Sequence, residues 1–282
     1  MASLSRLLVT GISFLCVNVA VAEQTAPAPA SSAASVAGKA AEKPDVNSEE
    51  AKRHAKLREA IEQGATMEEI AALKDPVATT PEEAIHALKA GNSRFFGGHA
   101  KRPEMSANER RAQILAQSPF AVILGCSDSR VPTELVYDQG LGDIFSVRVA
   151  GQIIEPATAG SIEYAIEHLK TKVLVVMGHE GCGAVKAAMM SDEQLKDEPE
   201  NVKYLVGRIS PAVRNLPAIR DAKAKMREAV IANVRNQVAK AKENPVIKAA
   251  IEKKQLAVIG AYYEISSGQV DFLETDEELR VQ

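Results

Sequence analysis

Two short stretches hold the residue types able to do chemistry: Cys126-Ser-Asp128-Ser-Arg130 and His179-Glu-Gly-Cys182. Together they offer two thiols and an imidazole, the ligand set of a zinc site that keeps one coordination position open for water or substrate. His179 and Cys182 are spaced so that a turn, or the first turn of a helix, can present both to one ion. Cys126 comes from a distant segment, so such a site has to be assembled by tertiary structure, unlike a self-contained zinc finger. Asp128 and Arg130 add a carboxylate and a guanidinium, which is more than a structural zinc site requires. The two stretches are informative in combination; His-x-x-Cys alone is a weak signal.

Two thiolates cancel the formal charge of Zn(II), making the ion a poorer Lewis acid than one held by three neutral histidines and its bound water harder to ionise. Asp128 can accept a hydrogen bond from zinc-bound hydroxide and aim it at an electrophile. Alternatively it can take the open position as a fourth ligand and close the site. Arg130 can hold Asp128 off the metal through a bidentate pair. A surface salt bridge or a turn cap is the commonplace reading of this pair, and it loses weight beside a metal-binding cysteine. His54, His86, His99 and His168 sit in charged or helical surroundings and read as surface or packing residues. Arg148 reads as structural, and Tyr164, on the apolar side of its helix, as a core tyrosine.

The elements that must position these groups are legible on either side. PFAVILG precedes Cys126 and KVLVVMG precedes His179; continuous apolar runs of this length suit strands buried on both faces. Strands are predicted at 120–125, 143–149, 172–177 and 256–263, with a short last strand at 269–273 after the Ser267-Gly268 turn. Thr80-Pro-Glu-Glu83 predicts a capped helix start with proline at its first position. Helices are also predicted at 158–169 and 183–190, and over a charged stretch, 200–254, interrupted at Pro211, Pro217 and Pro245. This order gives an α/β fold: a mainly parallel central β-sheet flanked by helices, with a C-terminal edge hairpin strand and an N-terminal helical arm. In such sheets sites form beyond the carboxyl ends of the strands, where both stretches fall.

The chain of 282 residues, with 46% hydrophobic and 25% charged residues, has the composition of a soluble globular protein. A formal charge of -3 argues against nucleic acid or an anionic membrane as partner. Arg6, the apolar residues 7–21 and Ala20-Val21-Ala22 read as a signal peptide over 1–22, cleaved after Ala22, which places the mature protein in the periplasm. The run is too short and interrupted to span a membrane. Residues 23–46 are an Ala/Pro/Ser-rich disordered linker. Residues 47–80 read as a helical extension, with Leu57, Ile61, Met67, Ile70, Ala71 and Leu73 broken by Gly64 and Thr66-x-x-Glu69 capping the second piece; a solvated spacer and a docking arm both fit it. The main domain is 81–275, followed by a tail, 276–282. Cleavage leaves Cys126 and Cys182 as the only cysteines. In an exported protein such a pair also suggests a disulfide, but a disulfide leaves His179, Asp128 and Arg130 without a purpose, so metal thiolates are favoured.

Gly125-Cys-Ser-Asp-Ser-Arg-Val-Pro132, Gly178-His-Glu-Gly-Cys-Gly183, Gly260-Ala-Tyr-Tyr-Glu-Ile265 with Ser-Gly268, and Gly91-Asn-Ser-Arg-Phe95 resemble the β-class carbonic anhydrases, over about residues 81 to 273. The resemblance implies one Zn(2+) per subunit on Cys126, His179 and Cys182, and a gating dyad of Asp128 and Arg130. It implies that Gln117 contacts bicarbonate, that Phe145, Val149 and Tyr164 wall an apolar pocket, and that Gly183 flanks it. The implied reaction is reversible hydration of carbon dioxide to bicarbonate and a proton by zinc-hydroxide attack. The implied assembly is a homodimer or a dimer of dimers, in which N-terminal helices, here 47–95, embrace the partner and sites lie at the interface. A subgroup with a second, inhibitory bicarbonate site carries Trp three residues before the first cysteine; Ile123 stands there in this chain, which implies that the second site is absent. A hydrolase of carbon disulfide or carbonyl sulfide on the same scaffold, and a non-catalytic periplasmic zinc-binding or redox-responsive protein, are the alternatives.

Overall fold

The computed structural model describes residues 55–56, 59–60, 62–66, 77–101, 114 and 117–273. The signal peptide, the linker, most of the helical extension and the C-terminal tail expected from the sequence lie outside the described residues. Among the described residues no helix is long and apolar enough to cross a membrane.

The first helix, α1 (Pro81–Phe96), starts as its sequence dictates. Thr80 accepts a hydrogen bond from the Glu83 amide while the Glu83 carboxylate accepts one from the Thr80 amide, a reciprocal cap with proline just inside. Its Gly-Asn-x-Arg segment then locks it to the body. Asn92 donates to the carbonyls of Val136 and Gly268 and accepts from the Val270 amide, and Arg94 pairs with the buried Asp138 at 2.5 Å.

Four parallel strands follow: β1 (Ala121–Gly125), β2 (Ile144–Arg148), β3 (Val173–His179) and β4 (Ala257–Tyr263), with β5 (Val270–Phe272) antiparallel to β4. The order across the sheet is β2-β1-β3-β4-β5. The chain therefore leaves β1 toward one side and returns to start β3 on the other, and the gap between their carboxyl ends is the place where such sheets form sites. Between the strands lie α2 (Thr133–Val136), a 3-10 turn (Ala150–Gln152), α3 (Pro156–Glu167), α4 (Gly183–Ala188), α5 (Glu200–Val213), α6 (Ala222–Glu243) and α7 (Pro245–Glu252). Alternation along the strands splits the core. Val122, Leu124 and Val176 face α3, α5, α6 and α7, while Ala121, Ile123 and Val175 face α1 and α2.

Two sequence expectations need correction. Pro211 lies inside α5 rather than interrupting it; its missing N–H falls in the last turn, where a single helical bond is forfeited. The third strand also runs on past Met177 to His179, because β4 is long enough to pair with Gly178 through Tyr262 and with His179 through Tyr263.

Helix α6 approaches β3 and β4 closely because both strands carry glycine beneath it. A Cβ on Gly178 would sit 2.5 Å from Val230 Cγ1 and 2.7 Å from Val234 Cγ2, and one on Gly260 would sit 2.9 Å from Val234 Cγ1. Gly178→Ala is therefore expected to destabilise the fold by about 1–3 kcal/mol through overpacking, read as a lower midpoint in denaturant unfolding; an unchanged midpoint would mean that α6 is free to back away.

Candidate metal centre

Cys126 is the first residue after β1, His179 the last of β3, and Cys182 the residue that opens α4. All three are buried, and one ligating atom from each lies within 4.8 Å of the others. The two sulfurs are 4.0 Å apart and both thiols are free. A disulfide bond is about 2.05 Å long, whereas a tetrahedral ion with Zn–S near 2.3 Å separates two sulfurs by about 3.8 Å. The observed spacing therefore matches two ligands of one ion. His179 Nδ1 is 2.9 Å from the Glu180 carbonyl, to which it donates. That bond leaves the Nε2 lone pair to act as ligand, and Nε2 is buried without a hydrogen-bond partner among the described residues.

Fixed N–H groups surround the sulfurs. The Gly151 amide donates to Cys126 Sγ at 3.4 Å, and the Ala184 and Val185 amides at the start of α4 favour the thiolate of Cys182. Within the pair, the Cys182 thiol donating to Cys126 pulls the Cys126 thiol well below the usual range, helped by His179 and Gly151. Cys182 is pushed up for the same reason and by burial. A cation satisfies both sulfurs at once, so the donor set fits zinc.

The dyad is formed. Arg130 Nε and Nη2 donate to the two oxygens of Asp128 at 2.9 and 2.8 Å, and the Arg130 amide adds a third bond at 2.9 Å. The fork of Arg130 holds the Asp128 carboxyl well below the usual carboxylate range. Asp128, paired with Arg130, stands outside the group of three donors that could share an ion.

One residue read only as structural gains a specific place here, and two further features escaped the sequence. Arg148 is a brace: its Nε donates to the Cys126 carbonyl at 3.0 Å and its Nη2 to the Asp128 carbonyl at 2.6 Å. Its position at the end of β2, level with Gly125 of β1, was the only available hint. Glu180, whose carbonyl orients His179, is itself tied down. Its amide donates to Tyr263, and its carboxylate accepts from the Ser266 amide and faces Lys223 Nζ at 3.4 Å. Polar side chains on the buried face of α6, an element whose sequence is charged, reach the turn that carries Gly151.

The remaining expected site residues are less gathered. Phe145 and Val149 pack against the core cluster that contains Cys126 and Cys182, and Gly183 is exposed with open space at its Cβ position. Gln117 is exposed. Tyr164 is 47% exposed rather than a core tyrosine; it lies on the flank of α3 with its ring 6.2 Å from Phe145 and 5.0 Å from His168. His86, His99 and His168 are at the surface.

The profile of the family described as "Carbonic anhydrase" matches residues 121–270. Carbonic anhydrase 2 of Mycobacterium tuberculosis is 39% identical over 192 residues, covering 68% of this chain and 92% of that protein. The carbonic anhydrase of Mycolicibacterium smegmatis is 36% identical over 194 residues, covering 68% and 93%. Among solved structures, one of two tetrameric β-carbonic anhydrases from the filamentous ascomycete Sordaria macrospora superposes with a TM-score of 0.56 at 27% identity, covering 68% of this chain and 97% of that one. The chain belongs to the β-class carbonic anhydrases. In this carbonic anhydrase, Arg148 is the residue outside the expected set with the most direct grip on the site, through the carbonyls of both Cys126 and Asp128. Arg148→Gln is expected to retain bound metal and lose about 10- to 100-fold in turnover. Undiminished turnover at full metal content would show that the brace is idle.

Proposed function

We propose that this carbonic anhydrase hydrates carbon dioxide reversibly on a single zinc ion held by Cys126, His179 and Cys182. The observation that carries this reading is the buried triad, whose imidazole Nε2 has no protein partner. Bound zinc supplies a Lewis acid that acidifies water at its remaining position.

The chain's own groups do the rest. Asp128, kept ionised by Arg130, accepts the hydrogen bond of the nucleophilic water and fixes its orientation. Phe145 and Val149 offer an apolar wall to carbon dioxide, which carries no net dipole and gains little from polar contacts. Gln117 is the donor suited to bicarbonate. Gln117 and Tyr164 are exposed in the single chain, which supports an assembly in which a second subunit completes the pocket, as a homodimer or a dimer of dimers.

Cys126→Ala is expected to lose both zinc and activity, while Asp128→Ala keeps zinc and loses at least about 100-fold in turnover. Metal analysis paired with stopped-flow hydration assays on the same samples reads both. A zinc-replete Asp128→Ala with full turnover would remove the dyad's role, and wild-type protein that hydrolyses carbonyl sulfide in preference to hydrating carbon dioxide would overturn the substrate.

The pH dependence has a definite sign. The Asp128 carboxyl is depressed, so it is charged throughout the neutral and alkaline range and loses its charge only under strong acid. Activity is expected to rise from neutral to alkaline pH through ionisation of water at the metal; a flat profile in stopped-flow assays counts against the mechanism.

A further inference from the structure

The 3-10 turn Ala150–Gln152 is an unfavourable piece of backbone in an important place. Gly151 has φ 70°, and Gln152, with φ 41°, also lies in the left-handed region that side chains avoid. The side-chain amide of Gln152 is buried without a hydrogen-bond partner among the described residues, so only its backbone amide, which donates to the Val149 carbonyl at 2.9 Å, ties the residue down. Gly151 cannot be replaced to stiffen the turn, because a Cβ there would lie 2.4 Å from Ile209 Cδ1. Yet this turn aims the Gly151 N–H at Cys126 Sγ.

The turn is held from α6. Asn233 Nδ2 donates to the Gly151 carbonyl at 2.9 Å. One helical turn on, Gln237 Nε2 donates to Asn233 Oδ1 at 3.2 Å, and Gln237 Oε1 accepts from the Ile154 amide at 2.9 Å. Both side chains are fully buried, so each is a desolvated amide whose bonds are made almost entirely with this turn and with one another.

We propose that Asn233 and Gln237 are positioning residues that hold the 150–152 turn so that the Gly151 N–H stays on the Cys126 sulfur and draws charge from it. The inference rests on the zinc reading above. A sulfur that shares its charge with an N–H donates less to the ion, which offsets part of the loss of Lewis acidity that two thiolates impose.

The test replaces zinc by cobalt(II) in the full-length protein and records the thiolate-to-cobalt charge-transfer absorption, with hydrogen exchange at the Gly151 amide. Asn233→Ala and Gln237→Met are compared with Ile247→Val, which thins the same core from α7 without touching the turn. The expected result is a shift of the band to longer wavelength and faster Gly151 exchange in the first two, with neither change in the third. Gln237→Met decides the matter if Asn233→Ala fails to fold. A band unmoved in both variants, or moved equally by Ile247→Val, overturns the proposal. No thiolate band in the cobalt-loaded wild type overturns the zinc reading itself.

Discussion

Two thiols and an imidazole nitrogen are brought together, buried, at the carboxyl end of an apolar sheet. Polar groups in such a place are costly unless something replaces their hydration. For His179 Nε2 no hydrogen-bond partner does so among the described residues. The surrounding architecture is arranged around that demand. The β2-β1-β3-β4-β5 order opens the gap between β1 and β3, and strand glycines let α6 sit close on β3 and β4. Arg148 and Glu180 fasten the backbone of the segments that carry the donors. A metal ion held by the three donors would relieve the cost.

The dyad stands at the edge of this dry region. The Arg130 side chain is 57% exposed and that of Asp128 19%, so their ion pair is screened by water and contributes little to stability. Its value lies in direction and charge state. Two parallel hydrogen bonds fix the plane of the carboxylate, and the guanidinium keeps it ionised. On the proposed reading, buried ligands and a partly exposed carboxylate divide the work, one set suited to hold an ion and the other to meet what arrives from solvent.

Much of the fold was readable locally. Continuous apolar runs marked the strands, and the Thr80–Glu83 cap marked the start of α1, because these signals depend on residues close together in the chain. The metal-binding candidates were readable because two short stretches, each weak alone, are informative in combination. Less local features were misread or missed. Tyr164 follows the apolar period of α3 yet is exposed on its flank. His179 belongs to β3 only because β4 continues beside it. Asn233 and Gln237 lie in what the sequence shows only as a charged helical stretch, and their burial follows from how closely α6 sits on Gly178 and Gly260.

The sequence by itself determined the chemistry available: which atoms can bind a metal, which carboxylate can be paired, and the α/β order of elements that carries them. Tertiary structure alone decided that Cys126 and Cys182 meet at 4.0 Å as free thiols instead of bonding. It also decided that Asp128 is held by Arg130, and that a strained turn points an N–H at sulfur. Ligand identity is a property of single residues. The distances that select a metal site over a disulfide arise from strand order, register and helix approach, which residues far apart in the chain set together.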